Sequence, residues 1–241
     1  YTGIIDATTL QQILTNTKYA VAHADYQAIF RGVKLELTDK HARAVATDGF
    51  RLAMHSKGGI LGQSIDVVVP ARAVEEVLNM RPREGAVNVA SDHATVTFKA
   101  GETIVSAQVL EGNFPDYERI IPNEFEVTFE VDAKTLAEAA ARVALLSDKT
   151  TNNRLEMKLK GGQLLLEGNS SLGNARETLQ VKQPEGQPAL ELALNARYLE
   201  AALARLAGQV VLKANNLATP LLLHPVDDEQ QIAIIVPLRD A

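Results

Sequence analysis

The sequence predicts an α+β fold made of two tandem units, with antiparallel sheets and two helices per unit packed on one face. Three observations carry this. Four segments have the apolar spacing of amphipathic helices, and the stretches between them alternate apolar and polar residues as half-covered strands do. The helices also recur at a near-constant interval, which marks an internal repeat. At 241 residues the chain is long enough for two ordinary domains.

The first helix is expected over Asp6–Val21, with Asp6 as N-cap and Leu10, Ile13, Leu14 and Tyr19 or Val21 on the apolar side. The second follows a strand at Ile65–Val69, has Pro70 in its first turn, carries Val74, Val77 and Leu78, runs to Met80 and ends at Arg81-Pro82. The third is expected over Asp132–Leu146, with Leu136, Ala139, Ala140, Val143 and Leu146 inward. The fourth opens at Asn195, carries Leu199, Ala202, Leu203 and Leu206, and stops at Gly208. The first pair starts about 64 residues apart, from Ala7 to Ala71, and the second about 62, from Ala133 to Ala196.

Strands fill the intervals at Gly32–Thr38, Ala42–His55, Ala86–Phe98, Thr103–Leu110, Leu155–Lys160, Gln163–Val181, Gln209–Ala214 and Pro220–Pro237. Asp48-Gly49 and Gly161-Gly162 read as two-residue hairpin turns. Each unit is thus helix, hairpin, strand, helix, hairpin, and the chain holds four related pieces. Gly112–Phe129, with Pro115 and Pro122, has linker composition, which places the domains at 1–122 and 123–241.

Composition narrows function. Hydrophobic content of 46% and charged content of 22% are those of a soluble globular chain. There is no cysteine, so disulfides and thiolate metal sites are excluded, and a reducing, cytoplasmic setting fits. No apolar run reaches the roughly 18 residues of a membrane span. The net charge of −6 argues against a uniformly basic nucleic-acid binder but allows one basic surface. The chain opens on Tyr1, which reads as a trimmed or processed product.

No catalytic or cofactor pattern emerges. His23, His41, His55, His93 and His224 lack metal-ligand spacing, and there is no Gly-x-Ser-x-Gly elbow. Gly58-Gly59-Ile60-Leu61-Gly62 lacks the Lys-Ser/Thr of a phosphate loop and reads as a surface loop. Asp48 is the most tempting carboxylate, yet its place in a turn favours a backbone-bonding role. Neither a cofactor nor a metal is expected.

Two strings stand out, Ala46-Thr47-Asp48-Gly49-Phe50-Arg51-Leu52-Ala53 and Phe114-Pro115-Asp116-Tyr117-Glu118-Arg119-Ile120-Ile121-Pro122. With the C-terminal Ile235-Val236-Pro237-Leu238-Arg239, they resemble the bacterial DNA polymerase III beta subunit, the sliding clamp. The resemblance covers the whole chain but only the second and third of that family's three domains, so a fragment without the first domain is expected. It implies tandem DNA-clamp domains and a non-catalytic processivity role in replication. Two chains of the family form a ring around duplex DNA, which it binds without regard to sequence. Polymerase, clamp loader and repair proteins attach by short peptides in a pocket to which both domains represented here contribute.

Carried over, that peptide site comprises Phe30, Thr47, Gly49, Arg51, Leu52, Pro115, Arg119, Ile120, Ile234, Ile235, Val236, Pro237, Leu238 and Arg239. Leu52, Ile120, Val236 and Leu238 would supply apolar area, and Arg51 and Arg119 would hold partner carbonyls or an acidic side chain. Phe50 stands where many members carry a histidine or tyrosine. Lys18, Tyr26, Arg72, Lys134, Arg142, Arg197 and Arg205 are candidates for phosphate contacts in the channel. Ring closure implicates the strand around Arg176–Val181 with Leu145 and Leu146, and without a first domain the chain is expected to be monomeric or weakly associated. Two other readings are a hydrolase using Asp48 with a histidine such as His55, and a purely structural repeat protein.

Overall fold

The computed structural model describes residues 2–23, 27–80, 85–92, 94–215 and 219–239. The chain separates into two compact units, Tyr1–Pro115 and Asp116–Ala241. In the first, β1 (Gly3–Asp6) leads into α1 (Ala7–Thr15), then β2 (Gly32–Leu37), β3 (His41–Thr47), β4 (Arg51–Gly58) and the short β5 (Leu61–Gly62). There follow β6 (Ile65–Pro70), α2 (Ala71–Asn79), β7 (Ala86–Ser91), β8 (Thr95–Ala100) and β9 (Thr103–Gln108). Leaving β5 aside, this is strand, helix and three strands, twice over.

The second unit repeats the pattern. Its elements are β10 (Val127–Asp132), α3 (Ala133–Ala144), β11 (Arg154–Lys160), β12 (Gln163–Ser170) and β13 (Gly173–Gln180). Then come β14 (Leu190–Asn195), α4 (Ala196–Leu203), β15 (Gln209–Ala214), β16 (Leu221–Pro225) and β17 (Gln231–Ile235).

Within each unit the two repeats exchange their first strands. β1 pairs antiparallel with β7 of the other repeat, in a sheet ordered β5-β1-β7-β8-β9, while β6 pairs with β2 beside β3 and β4. In the second unit β14 joins β11 in the order β13-β12-β11-β14, and β10 joins β15, β16 and β17. Leu10, Ile13 and Leu14 of α1 and Val74 and Val77 of α2 are buried in one cluster with Leu35, Val89 and Phe98. Burying side chains of this size contributes about 1.5–3 kcal/mol each. In the second unit α3 and α4 pack on each other, and Leu136, Val143, Leu199 and Leu203 are buried.

Each helix starts directly after a strand, and the last strand residue serves as cap. Asp6 accepts from the Thr9 amide at 2.8 Å, Asp132 from the Thr135 amide at 2.8 Å and Asn195 from the Arg197 amide at 2.9 Å. Pro70 occupies this position before α2, one residue ahead of the helical turn expected for it. The first helical amide is satisfied across the repeats: Ala7 donates to Gly85 O, Ala133 to Gly208 O and Ala196 to Asn153 O, at 2.8–2.9 Å. All three accepting residues have left-handed backbones, with φ of 100°, 69° and 50°.

Several boundaries differ from the sequence reading. α1 ends at Thr15 because the polar Thr15-Asn16-Thr17 run competes for its backbone, with Thr17 Oγ1 donating to Ile13 O at 2.7 Å. A 3-10 turn over Lys18–Ala20 follows. α3 ends at Ala144, leaving Leu145 exposed as C-cap and Leu146 half-buried, so the inward stripe stops before Leu146. Thr47 faces Leu52, so the β3–β4 hairpin is centred on Gly49-Phe50 and not on Asp48-Gly49. Gly161-Gly162, both at positive φ between paired Lys160 and Gln163, is the two-residue turn expected. β1, β5, β10 and β14 have no counterpart among the expected strands, and the expected linker Gly112–Phe129 overlaps β10 at Val127–Phe129. Arg81-Pro82 lies outside the described residues.

Candidate functional site

In the first unit the β3–β4 hairpin ends in a tightly bonded turn. The Asp48 carboxylate accepts from the Phe50 amide at 2.9 Å and the Arg51 amide at 3.1 Å through Oδ1, and from Arg51 Nε at 3.0 Å through Oδ2. Thr47 Oγ1 donates to Arg51 O at 2.6 Å and accepts from the Gly49 amide at 3.1 Å. Gly49 takes φ of 91°, a conformation glycine adopts at little cost. The Arg51 guanidinium lies 5.7 Å from the Tyr19 ring centroid. The turn is therefore pinned from inside, and the side chain it presents outward is Phe50, 61% exposed.

This geometry changes the expected roles. The guanidinium of Arg51 is half of an internal ion pair rather than a group held open for a partner carbonyl. Leu52 and Phe30 are buried, Phe30 in a cluster with Ile29 and Val68, so both are walls more than contact surfaces. Asp48 is committed to the turn, and buried His55 meets Asn16 Nδ2 through Nδ1 at 3.1 Å. Among the described residues no group of histidines and carboxylates gathers into a metal site; His93 lies outside them.

The glycine-rich loop also has a structural explanation. A Cβ on Gly59 would lie 2.0 Å from Asp39 O, and one on Gly62 2.1 Å from Thr2 O. These glycines allow backbone to cross backbone.

In the second unit the C-terminal residues run on from β17. Ile234, Ile235 and Pro237 are buried, Leu238 is half-buried, and Val236 and Arg239 are exposed. The Leu238 amide donates to Ala193 O of β14 at 2.8 Å, and Arg154 Nη1 donates to Arg239 O at 3.3 Å. Ile120 follows the 3-10 turn Tyr117–Arg119 and is 40% exposed, matching Val236 at 39%. Arg119 points outward, its Nε 2.9 Å from Asp116. Pro115, the last residue of the first unit, is half-buried. Exposed apolar area in the expected peptide site is thus concentrated on Ile120 and Val236.

Two adjoining matches decide the family. The model described as DNA polymerase III beta subunit, central domain, matches residues 4–116, and that described as its C-terminal domain matches residues 118–239. The chain belongs to the DNA polymerase III beta subunit family. The beta sliding clamp of Pseudomonas aeruginosa is 28% identical over 235 residues, covering 95% of this chain and 63% of that protein. That of Synechococcus elongatus is 28% identical over 244 residues, covering 98% and 64%. The chain thus spans less than two thirds of these relatives. A crystal structure of the DNA polymerase sliding clamp from P. aeruginosa superposes with a TM-score of 0.93 at 27% identity, over 99% of this chain and 66% of that one.

The basic candidates suggested by the beta-subunit resemblance fall into two groups. Lys18 approaches Glu75 at 4.0 Å, Lys134 approaches Glu138 at 3.8 Å and Arg197 meets Glu200 at 3.2 Å. Arg142 is bound more firmly, reaching Glu177 of β13 through both Nε and Nη2. That pairing raises the Arg142 pKa and lowers that of Glu177. Arg72 and Arg205 are exposed near the starts and ends of their helices. Tyr26 lies outside the described residues. At the expected ring surface, β13 is an edge strand of its sheet and Leu145 is 81% exposed.

Proposed function

We propose that this chain acts as a DNA sliding clamp, a non-catalytic processivity factor that in its complete, dimeric ring encircles duplex DNA and tethers replication proteins. The observation that carries the reading is the back-to-back match of the central and C-terminal beta-subunit domains over residues 4–239. A processivity factor needs a topological hold on DNA and an apolar seat for partner peptides, and no reacting group. Among the described residues no helix is long and apolar enough to cross a membrane.

The partner seat, in this reading, takes its apolar contacts from Ile120, Val236 and Leu238, with Thr47–Leu52 and Arg119 also assigned to it. Arg72 and Arg205 make phosphate contacts that are blind to sequence. The test is a calorimetric titration with a synthetic peptide of the form Gln-x-x-Leu-Phe. Binding at micromolar concentration is expected, and Val236→Ala should weaken it about tenfold, the loss of roughly two buried carbon groups. Because Val236 is exposed, its unfolding temperature should stay unchanged. Absence of binding to the native protein at micromolar peptide would remove the site assignment.

A further inference from the structure

We propose that Tyr19 is a positioning residue for the partner-binding turn, acting through Arg51; this rests on assigning Thr47–Leu52 to the peptide site. The Tyr19 ring and Asp48 hold the Arg51 guanidinium together, the ring at 5.7 Å and the carboxylate at 3.0 Å. Arg51 is only 10% exposed in its side chain, so solvent and salt screen this pairing less than they would at the surface. The same Asp48 carboxylate holds the Phe50 and Arg51 amides. Fixing the guanidinium therefore fixes the carboxylate, and the carboxylate fixes the tip that projects Phe50.

The position of Tyr19 follows from the early end of α1. Thr17 turns its hydroxyl back to Ile13 O, and the Ala20 amide closes a 3-10 turn onto Thr17 O. That turn, Lys18–Ala20, packs against both β3 and β4, the two strands joined by the partner turn. A helix continuing to Val21 would carry residue 19 on a different course. The break thus places an aromatic face against the guanidinium, and a turn held in one conformation loses less freedom when a peptide binds.

A half-buried tyrosine is commonly just part of a core, and Tyr19 does pack against the first unit's buried cluster. The two roles separate in a double-mutant cycle. Tyr19→Leu, Arg51→Gln and the double variant are compared by hydrogen exchange at the Phe50 and Arg51 amides and by affinity for the Gln-x-x-Leu-Phe peptide. Tyr19→Leu should speed exchange at those two amides and weaken the peptide about three- to tenfold. Tyr19→Phe, which keeps the ring, should restore both. In the Arg51→Gln background Tyr19→Leu should add nothing to either readout. Additive losses, or unchanged exchange in Tyr19→Leu, would overturn the proposal. If the native protein binds no peptide, the site assignment falls, and the exchange cycle still decides whether Tyr19 orders the turn.

Discussion

Glu167 accepts Lys158 Nζ at 2.9 Å from β11, while Arg176 reaches the same carboxylate from β13. The Glu167 side chain is 8% exposed, and Lys158 also meets Glu156 and Glu191. These contacts, Lys158 foremost, hold the Glu167 carboxyl below its ordinary value of 4.5. Glu177 is lowered by Arg142, and Asp132 chiefly by the Thr135 amide. A lowered carboxyl contributes stability that is present above the unfolded-state pKa and lost as pH falls through the folded one. Thermal melts should therefore hold steady near neutrality and fall as pH drops below about 4.5. Glu167→Gln should lower stability at pH 7 by about 1–2 kcal/mol in urea unfolding and flatten the acid slope.

Asp132→Ala removes acceptors for both the Thr135 amide and the Thr135 hydroxyl. The melting temperature should fall, with Asp132→Asn retaining most of the stability. Equal losses for the two variants would point to charge rather than capping.

Glycines of the chain should divide by the reason each is there. Gly208 has φ of 69° with nothing within 4 Å of a built Cβ, so Gly208→Ala should cost about 1 kcal/mol. Gly59→Ala must displace Asp39 backbone and should cost about 3 kcal/mol. Denaturant midpoints of the two variants test the ordering.

Salt dependence separates the basic residues. Arg72→Ala and Arg205→Ala should each lower the salt slope of duplex binding by about 0.9, measured by fluorescence anisotropy on the complete ring. Arg142→Ala should leave that slope closer to native and instead lower the melting temperature, since Arg142 is bound to Glu177.

Much of this was legible in the sequence because the helices repeat their signals. Ala7, Ala71, Ala133 and Ala196, read as the helix starts, are the first helical residues. The caps at Asp6, Asp132 and Asn195 were visible for the same reason, an Asp or Asn standing before an apolar stripe. Short lead strands such as Gly3–Asp6 were not, because four residues give little alternation and their pairing partner lies over eighty residues away at Ala86–Ser91. In the proposed site, the strings single out segments but say nothing of side-chain orientation. Arg51 lies in an RLA run whose sequence says nothing of Tyr19, a contact set by where α1 breaks. Leu52 and Val236 look alike on paper, yet one is buried and the other open.

The exchange of first strands between repeats bears on how the chain is made. β1 leaves the ribosome long before β7, so its sheet cannot close until the second repeat has been synthesised, whereas β6 seals against β2 as soon as it emerges. Pairings this distant in sequence are slow to form. A nascent first unit must therefore carry β1 without its β7 partner through most of its synthesis, and a chain cut between the two strands would leave each piece with an open sheet edge and a tendency to aggregate rather than a smaller fold.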